Sequence, residues 1–280
     1  MAIVDTSPLG QGDIIRRTSR TDDIWDQVAV IVTADCDIAR DKHAGRLSCV
    51  PLIPVSSYLA ISFLPKRISR IEIAIYEKLL AIMRQNQIAL LGPDAVAISP
   101  KRAKHWLLST EPLAICRRLA IPDEQVESFV ALADQAKRLT ASADQSFDDQ
   151  VARICESEHA LGRGESAKLR TRLSNDIAAH LRDLPGDALF LRHQTSDGSD
   201  TGYIAYLRII REIRDERVAI KASQMSYEIT HERWARLSPP YIYALTQRLG
   251  NVFSAIGLPE EYEASRDECG SLLIGNTDAS

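Results

Sequence analysis

The apolar run Val28-Ala29-Val30-Ile31-Val32 leads directly into the polar phrase Thr33-Ala34-Asp35-Cys36-Asp37. Small and β-branched residues in unbroken succession predict a strand buried on both faces, whose rigid end carries the polar cluster. Before it, Gln11-Gly12-Asp13 reads as a turn feeding a short strand through Ile14-Ile15-Arg16-Arg17, and after it Leu47 to Ile53 reads as a partner strand. Residues 1–10 read as a loose arm. From about Ile68 the period changes: Ile71, Ile75, Leu79, Ile82 and Met83 recur at three- and four-residue spacing, the stripe of an amphipathic helix. Further helices are predicted from Ser99-Pro100, from Pro122-Asp123-Glu124, over Phe147 to His159 and over Glu165 to Leu184.

Leu184-Pro185-Gly186-Asp187 breaks the helical regime. Strands follow at Ala188 to Leu191 and Gly202 to Leu207, joined by hairpin-loop chemistry in Asp197-Gly198-Ser199-Asp200, and Val218-Ala219-Ile220 adds a third. A last helix starts at Pro239-Pro240 and carries Tyr241, Leu245, Leu249, Val252 and Phe253 on one stripe. The order β, long α, β, α predicts an α+β chain in which two β-rich parts, each short of strands, complete one sheet or barrel around a helical insertion.

The 280 residues are 45% hydrophobic and 26% charged, an ordinary balance for a globular protein, with one large domain or two modest ones. No apolar window is long enough for a membrane span, and Met1-Ala2-Ile3-Val4-Asp5 lacks the character of a signal peptide, so a cytoplasmic protein without membrane contact is expected. Five cysteines without a CxxC pair fit reduced thiols. The net charge of −4 hides one departure: residues 66–118 hold ten Lys or Arg against four acids. Lys66, Arg67, Arg70, Lys101, Arg102 and Lys104 are therefore candidates for binding RNA, DNA or an acidic partner, with a solvated helix face as the alternative.

In an extended strand Asp35 and Asp37 share a side and suit Mg²⁺ or Mn²⁺, with Asp13, Asp41 or His43 as a third ligand. Equally, either acid caps the following turn through backbone N–H groups. Cys36 would then face the core; its alternatives are a zinc site with His43 and Cys49, or a nucleophile activated by His43 or His193. Asp35, Cys36 and Asp37 are thus the catalytic candidates, and Asp35 and Asp37 the metal candidates. Trp106, beside Lys104 and His105, suits base stacking or anchors a helix in the core.

Gln11-Gly12-Asp13-Ile14-Ile15, the Val28 to Val32 strand and Cys49-Val50-Pro51-Leu52 resemble the opening of the MazF and PemK toxin family, small SH3-like barrels that cleave RNA. Tyr241 to Gly257 corresponds in that resemblance to the closing helix. With the element order, the resemblance implies an SH3-like barrel built from residues 1–65 and 186–259; the order itself makes 66–185 a helical insertion, and the acidic residues 260–280 read as a flexible tail. That family's catalytic Arg and its Thr or Ser fall at Asp26-Gln27 and Ile53 here; a carboxylate repels phosphate and Ile offers no donor. The Thr-x-Asp-Cys-Asp-Ile phrase is similar to one in bacterial proteins from defence loci. The resemblance implies a non-catalytic or weakly catalytic accessory component of a bacterial defence or toxin-like system, docking a partner protein encoded nearby or a nucleic acid. The alternative is a metal-dependent nuclease or phosphodiesterase using Asp35 and Asp37.

Overall fold

The computed structural model describes residues 7–140, 146–194, 200–221, 224–254 and most of 261–269, with the side chains of 193, 194, 200 and 201 outside that set. The long apolar runs became strands and the three-to-four periodic stretches became helices, giving an α+β chain. The strands are β1 (Asp13–Arg17), β2 (Val28–Ile31), β3 (Arg46–Pro54), β4 (Ala188–Gln194), β5 (Asp200–Tyr206), β6 (Arg211–Arg214), β7 (Val218–Ala219) and β8 (His231–Arg236). The labelled helices are α1 (Asp35–Ala39), α2 (Val55–Ser62), α3 (Leu64–Leu91), α4 (Pro100–Ser109), α5 (Pro112–Arg118), α6 (Asp123–Thr140), α7 (Phe147–Ala160), α8 (Ser166–Arg182) and α9 (Pro239–Ser254). No described helix is long and apolar enough to cross a membrane.

As expected, both β-rich parts join one sheet, in the order β4-β5-β3-β2-β1-β8-β7. Every ladder is antiparallel except β7 against β8. Among the described residues no ladder joins β4 to β7, so the sheet is open and the closed barrel expected from the sequence does not form. β3 is its spine: one edge pairs with β2, and the other pairs with β6 at Arg46 to Cys49 and with β5 at Leu52 to Pro54. Ser48 O accepts from Val32 N, which turns the position of Pro51's missing N–H toward the opposite edge. There β5 gives way to β6 and the ladder needs no donor.

β2 is buried on both faces, as its sequence requires. Val28 and Val30 pack with Val50, Leu52 and Leu245 of α9, while Ala29 and Ile31 pack with Ile15, Leu47 and Cys49 on the other side. Of the α9 stripe, Leu245, Leu249 and Val252 face the sheet, whereas Tyr241 and Phe253 are exposed. Gly12 lets α9 approach: its φ of +85° suits glycine, and an added Cβ would lie 2.5 Å from Ile242.

The helical layer is organised on α3, which at 28 residues is about 40 Å long. Its stripe Ile71, Ile75, Leu79 and Met83 is fully buried against Phe129, Leu132 and Ala133 of α6, Ile154 of α7 and Leu173 of α8. Ser99 caps α4 by accepting from Arg102 N. Layer and sheet meet where Tyr58 and Leu59 of α2 pack on Ile53, Ala188 and Ile204. His180 of α8 stacks on Phe63 there with ring centroids 4.7 Å apart, and burial lowers its pKa.

At the ends of the chain, residues 1–6 of the expected loose arm lie outside the described residues, but Ser7 and Pro8 are held: Arg233 Nη1 donates to Ser7 O at 2.8 Å. The described residues of 261–269 in the acidic tail are helical, and 270–280 lie outside the described set.

Candidate functional site

The polar cluster after β2 folds differently from its expected extended form. Thr33 ends the strand by accepting from Ser48 N at 2.7 Å, and Asp35 to Ala39 then close into the single short helix α1. Successive residues in a helix are about 100° apart, so Asp35 and Asp37 diverge by about 200° instead of sharing a side. Asp35 Oδ1 accepts from Gln11 N at 2.7 Å, which ties α1 to the turn before β1. That turn passes so close that a Cβ on Gly10 would lie 2.8 Å from the same oxygen. Neither acid caps α1 by a side-chain bond at its N-cap, Ala34. Their role at the first turn is the favourable placement of negative charge on the helix dipole.

The other expected partners are dispersed. Cys36 is exposed, not turned into the core, because the helix rotates it outward; Cys49 is buried, and burial pushes its thiol up to about 12. Asp13 is fully buried and grips Arg236 in a bidentate pair, 2.5 Å from Nε and 2.9 Å from Nη2. Its Oδ2 also accepts from Gly10 N at 2.9 Å. His43 Nε2 lies 2.9 Å from Asp215 Oδ2, a bond that raises the His43 pKa. Asp41 is exposed at positive φ, and the His193 side chain lies outside the described residues. No three His, Cys, Asp or Glu side chains among the described residues form a group that would hold a metal.

The positions carried over from the toxin resemblance are also absorbed by the fold. Ile53 is a core residue between α2 and β5. Asp26 pairs with Arg17 and, at 3.6 Å, with Arg211, and stands 3.9 Å from His231 Nε2.

The basic segment divides into two groups. Arg67 joins α3 to α7 and α8 through Glu158 and Asp176. Lys104 joins α4 to α3: Nζ lies 3.0 Å from Glu72 and 4.8 Å from the Tyr76 ring centroid, and the Glu72 bond raises its pKa. These two cations are structural. Lys66, Arg70, Lys101 and Arg102 are exposed and make no ion pair among the described residues.

Arg102 lines a groove of about 570 Å³ formed by the end of α3, the following loop, α4 and the end of α5. The floor is apolar, with buried Ile98 and Leu119 and half-buried Trp106. Its rim is apolar too and open to water: Leu90 is 51%, Leu91 65% and Val96 89% exposed. Arg102, His105 and Arg118 line the groove as well, and no carboxylate does so among the described residues. The loop is fixed, because Gln87 Nε2 donates to Val96 O at 2.8 Å while its Oε1 accepts from Ile98 N at 3.1 Å. Arg84 Nε adds a bond to Ile98 O at 2.9 Å.

Sequence reasoning singled out Arg102 and Trp106 and counted Arg118 within the basic segment, but it missed Leu90, Leu91 and Val96. The available signal was the run Ile88-Ala89-Leu90-Leu91, which is wider than one helical stripe and must leave an apolar side uncovered. Against known proteins, no family model matches the chain, and no curated protein or solved structure is significantly similar to it.

Proposed function

We propose that the chain is a binding component that docks a partner protein through the groove at the end of α3 and α4. The observation that carries this reading is the apolar rim: three large aliphatic side chains, Leu90 and Leu91 at the end of α3 and Val96 in the loop after it, stand half or more exposed, and Gln87 holds that loop in place by two hydrogen bonds. Contiguous exposed apolar surface framed by polar groups marks interaction sites in soluble proteins. The carboxylates in and around the first strands support the same reading, since Asp13, Asp26 and Asp35 are each occupied with a partner inside the fold. A role as an accessory component of a bacterial defence or toxin-like system accords with the likeness of its opening strands to toxin barrels and with Asp26 and Ile53 at the positions where those enzymes carry their catalytic groups.

The test is co-expression of the full chain with the products of its neighbouring genes, followed by size-exclusion chromatography with light scattering. A defined complex that Leu91→Asp with Val96→Asp dissolves is expected. Monomeric chain with every neighbour, or a complex indifferent to both substitutions, would overturn the proposal.

A further inference from the structure

We infer that the occupant of this groove is an amphipathic helix of the partner protein, apolar on the inserted side and acidic along its flanks. The inference deepens the docking reading and rests on it. The groove offers two chemistries: an apolar floor and rim from Leu90, Leu91, Val96 and Trp106, and cationic groups from Arg102 and Arg118. A helix laying residues i, i+3 or i+4, and i+7 into such a groove buries its apolar stripe and brings its flanking positions against the rim.

The sign of the rim is set by more than two arginines. α4 opens with Pro100-Lys101-Arg102 and has no acid in its first turn. Cations at the positive end of a helix dipole are locally unfavourable, so their presence there adds to the helix's own positive potential. α5 ends in Arg117 and Arg118, and His105 lines the groove together with Arg102 and Arg118. Lys101, Arg102, Arg117 and Arg118 are exposed, and none of them makes an ion pair among the described residues. Carboxylates brought by an incoming helix would find these guanidiniums ready for bidentate contact.

A nucleic acid answers the charge but leaves the rim unsatisfied. Phosphate and sugar gain nothing from Leu90, Leu91 and Val96, whereas protein–nucleic acid interfaces are more polar than this one. A second copy of the chain would have to bring an acidic apolar stripe of its own.

The experiment uses the full chain and a fluorescein-labelled probe peptide with Leu at i, i+4 and i+7 and Glu at the flanking positions, read by anisotropy. A twin peptide carries Lys for each Glu. The acidic probe is expected to bind at least about tenfold more tightly than its twin. Arg102→Glu with Arg118→Glu should reverse that order; both side chains are exposed, so the variant folds. Equal binding of the two probes, no binding of either, or an order unchanged by the reversal would overturn the inference. So would displacement of the acidic probe by a single-stranded oligonucleotide, or a sedimentation profile showing a dimer that Leu91→Asp abolishes.

The two proposals fail separately. If a neighbour-encoded protein needs Leu91 and Val96 but is indifferent to the charge reversal, docking stands and the acidic helix falls. If it ignores the apolar substitutions as well, the docking reading itself falls.

Discussion

Along β1 and β8, Arg16, Arg17 and Arg236 each meet a carboxylate, from Glu232, Asp26 and Asp13 respectively. At the C-terminal end of α3, Arg102 and Arg118 stand beside exposed aliphatic side chains and meet none among the described residues. Both regions are rich in arginine, yet in the first the charge holds strands together and in the second it remains available. Residue type alone therefore does not mark a site. What marks it is whether the fold has already used the group.

The comparison is broken most violently at Asp13. Its carboxylate is fully buried between Arg236, Arg233 and Gly10 N, so Asp13→Asn leaves guanidinium charge without its counter-ion. Loss of one partner from a buried pair costs about 3–5 kcal/mol, which urea unfolding should show directly. A substitution of similar chemistry at the groove, Arg118→Gln, should leave the urea midpoint in place.

Acid offers the next largest effect. Burial first, then Arg17, depresses the His231 pKa to about 4. Above pH 6.5 the ring is neutral in folded and unfolded chains and contributes nothing to pH dependence. As pH falls from 6.5 toward 4 the unfolded chain takes up a proton that the folded one refuses, so stability declines by roughly 3 kcal/mol. His231→Gln should remove that decline. His43 has the opposite sign: bonded to Asp215, its pKa is raised, so its contribution is full below pH 6.5 and fades as pH climbs through the raised value. His43→Gln should flatten that alkaline loss in pH-resolved thermal melts.

Asp35 and Asp37 give a smaller and sharper contrast. Asp35 carries the bond to Gln11 N, whereas among the described residues the Asp37 carboxylate has no comparable tie to another element. Asp35→Ala should cost about 1 kcal/mol in urea unfolding, and Asp37→Ala less than about 0.5 kcal/mol. Equal effects, or a gain in stability with Mg²⁺ that either substitution abolishes, would restore the paired-carboxylate reading.

Much of the architecture was legible in the residues. The unbroken apolar run of β2 announced a strand buried on both faces, the α3 stripe announced its buried side, and Ser99-Pro100 and Pro239-Pro240 marked helix starts that the structure keeps. The α1 turn was not legible, because an apolar run fixes where a strand is buried but not how the chain leaves it. β8 was hidden as well: His-Glu-Arg-Trp-Ala-Arg has no apolar alternation, and it becomes a strand by pairing with β1, more than 200 residues away. A register shift between Ile14 and Ile15 leaves Trp234 without an opposite residue; its ring meets Tyr203 and the Arg16 guanidinium, while Arg233 and Arg236 reach Asp13. The basic count over 66–118 mixed cations that the fold pairs with cations that it leaves unpaired among the described residues. Only three-dimensional partners, Asp176 for Arg67 and Glu72 for Lys104, separate the two sets.

The most direct measurement is calorimetric titration of the acidic probe peptide into the Leu91→Asp/Val96→Asp double variant, paired with its thermal melt. Both side chains are exposed, so the melt should coincide with that of the unaltered chain while binding weakens at least about tenfold. Binding at full strength to a variant that melts normally would contradict the account, because the apolar rim would then serve no partner.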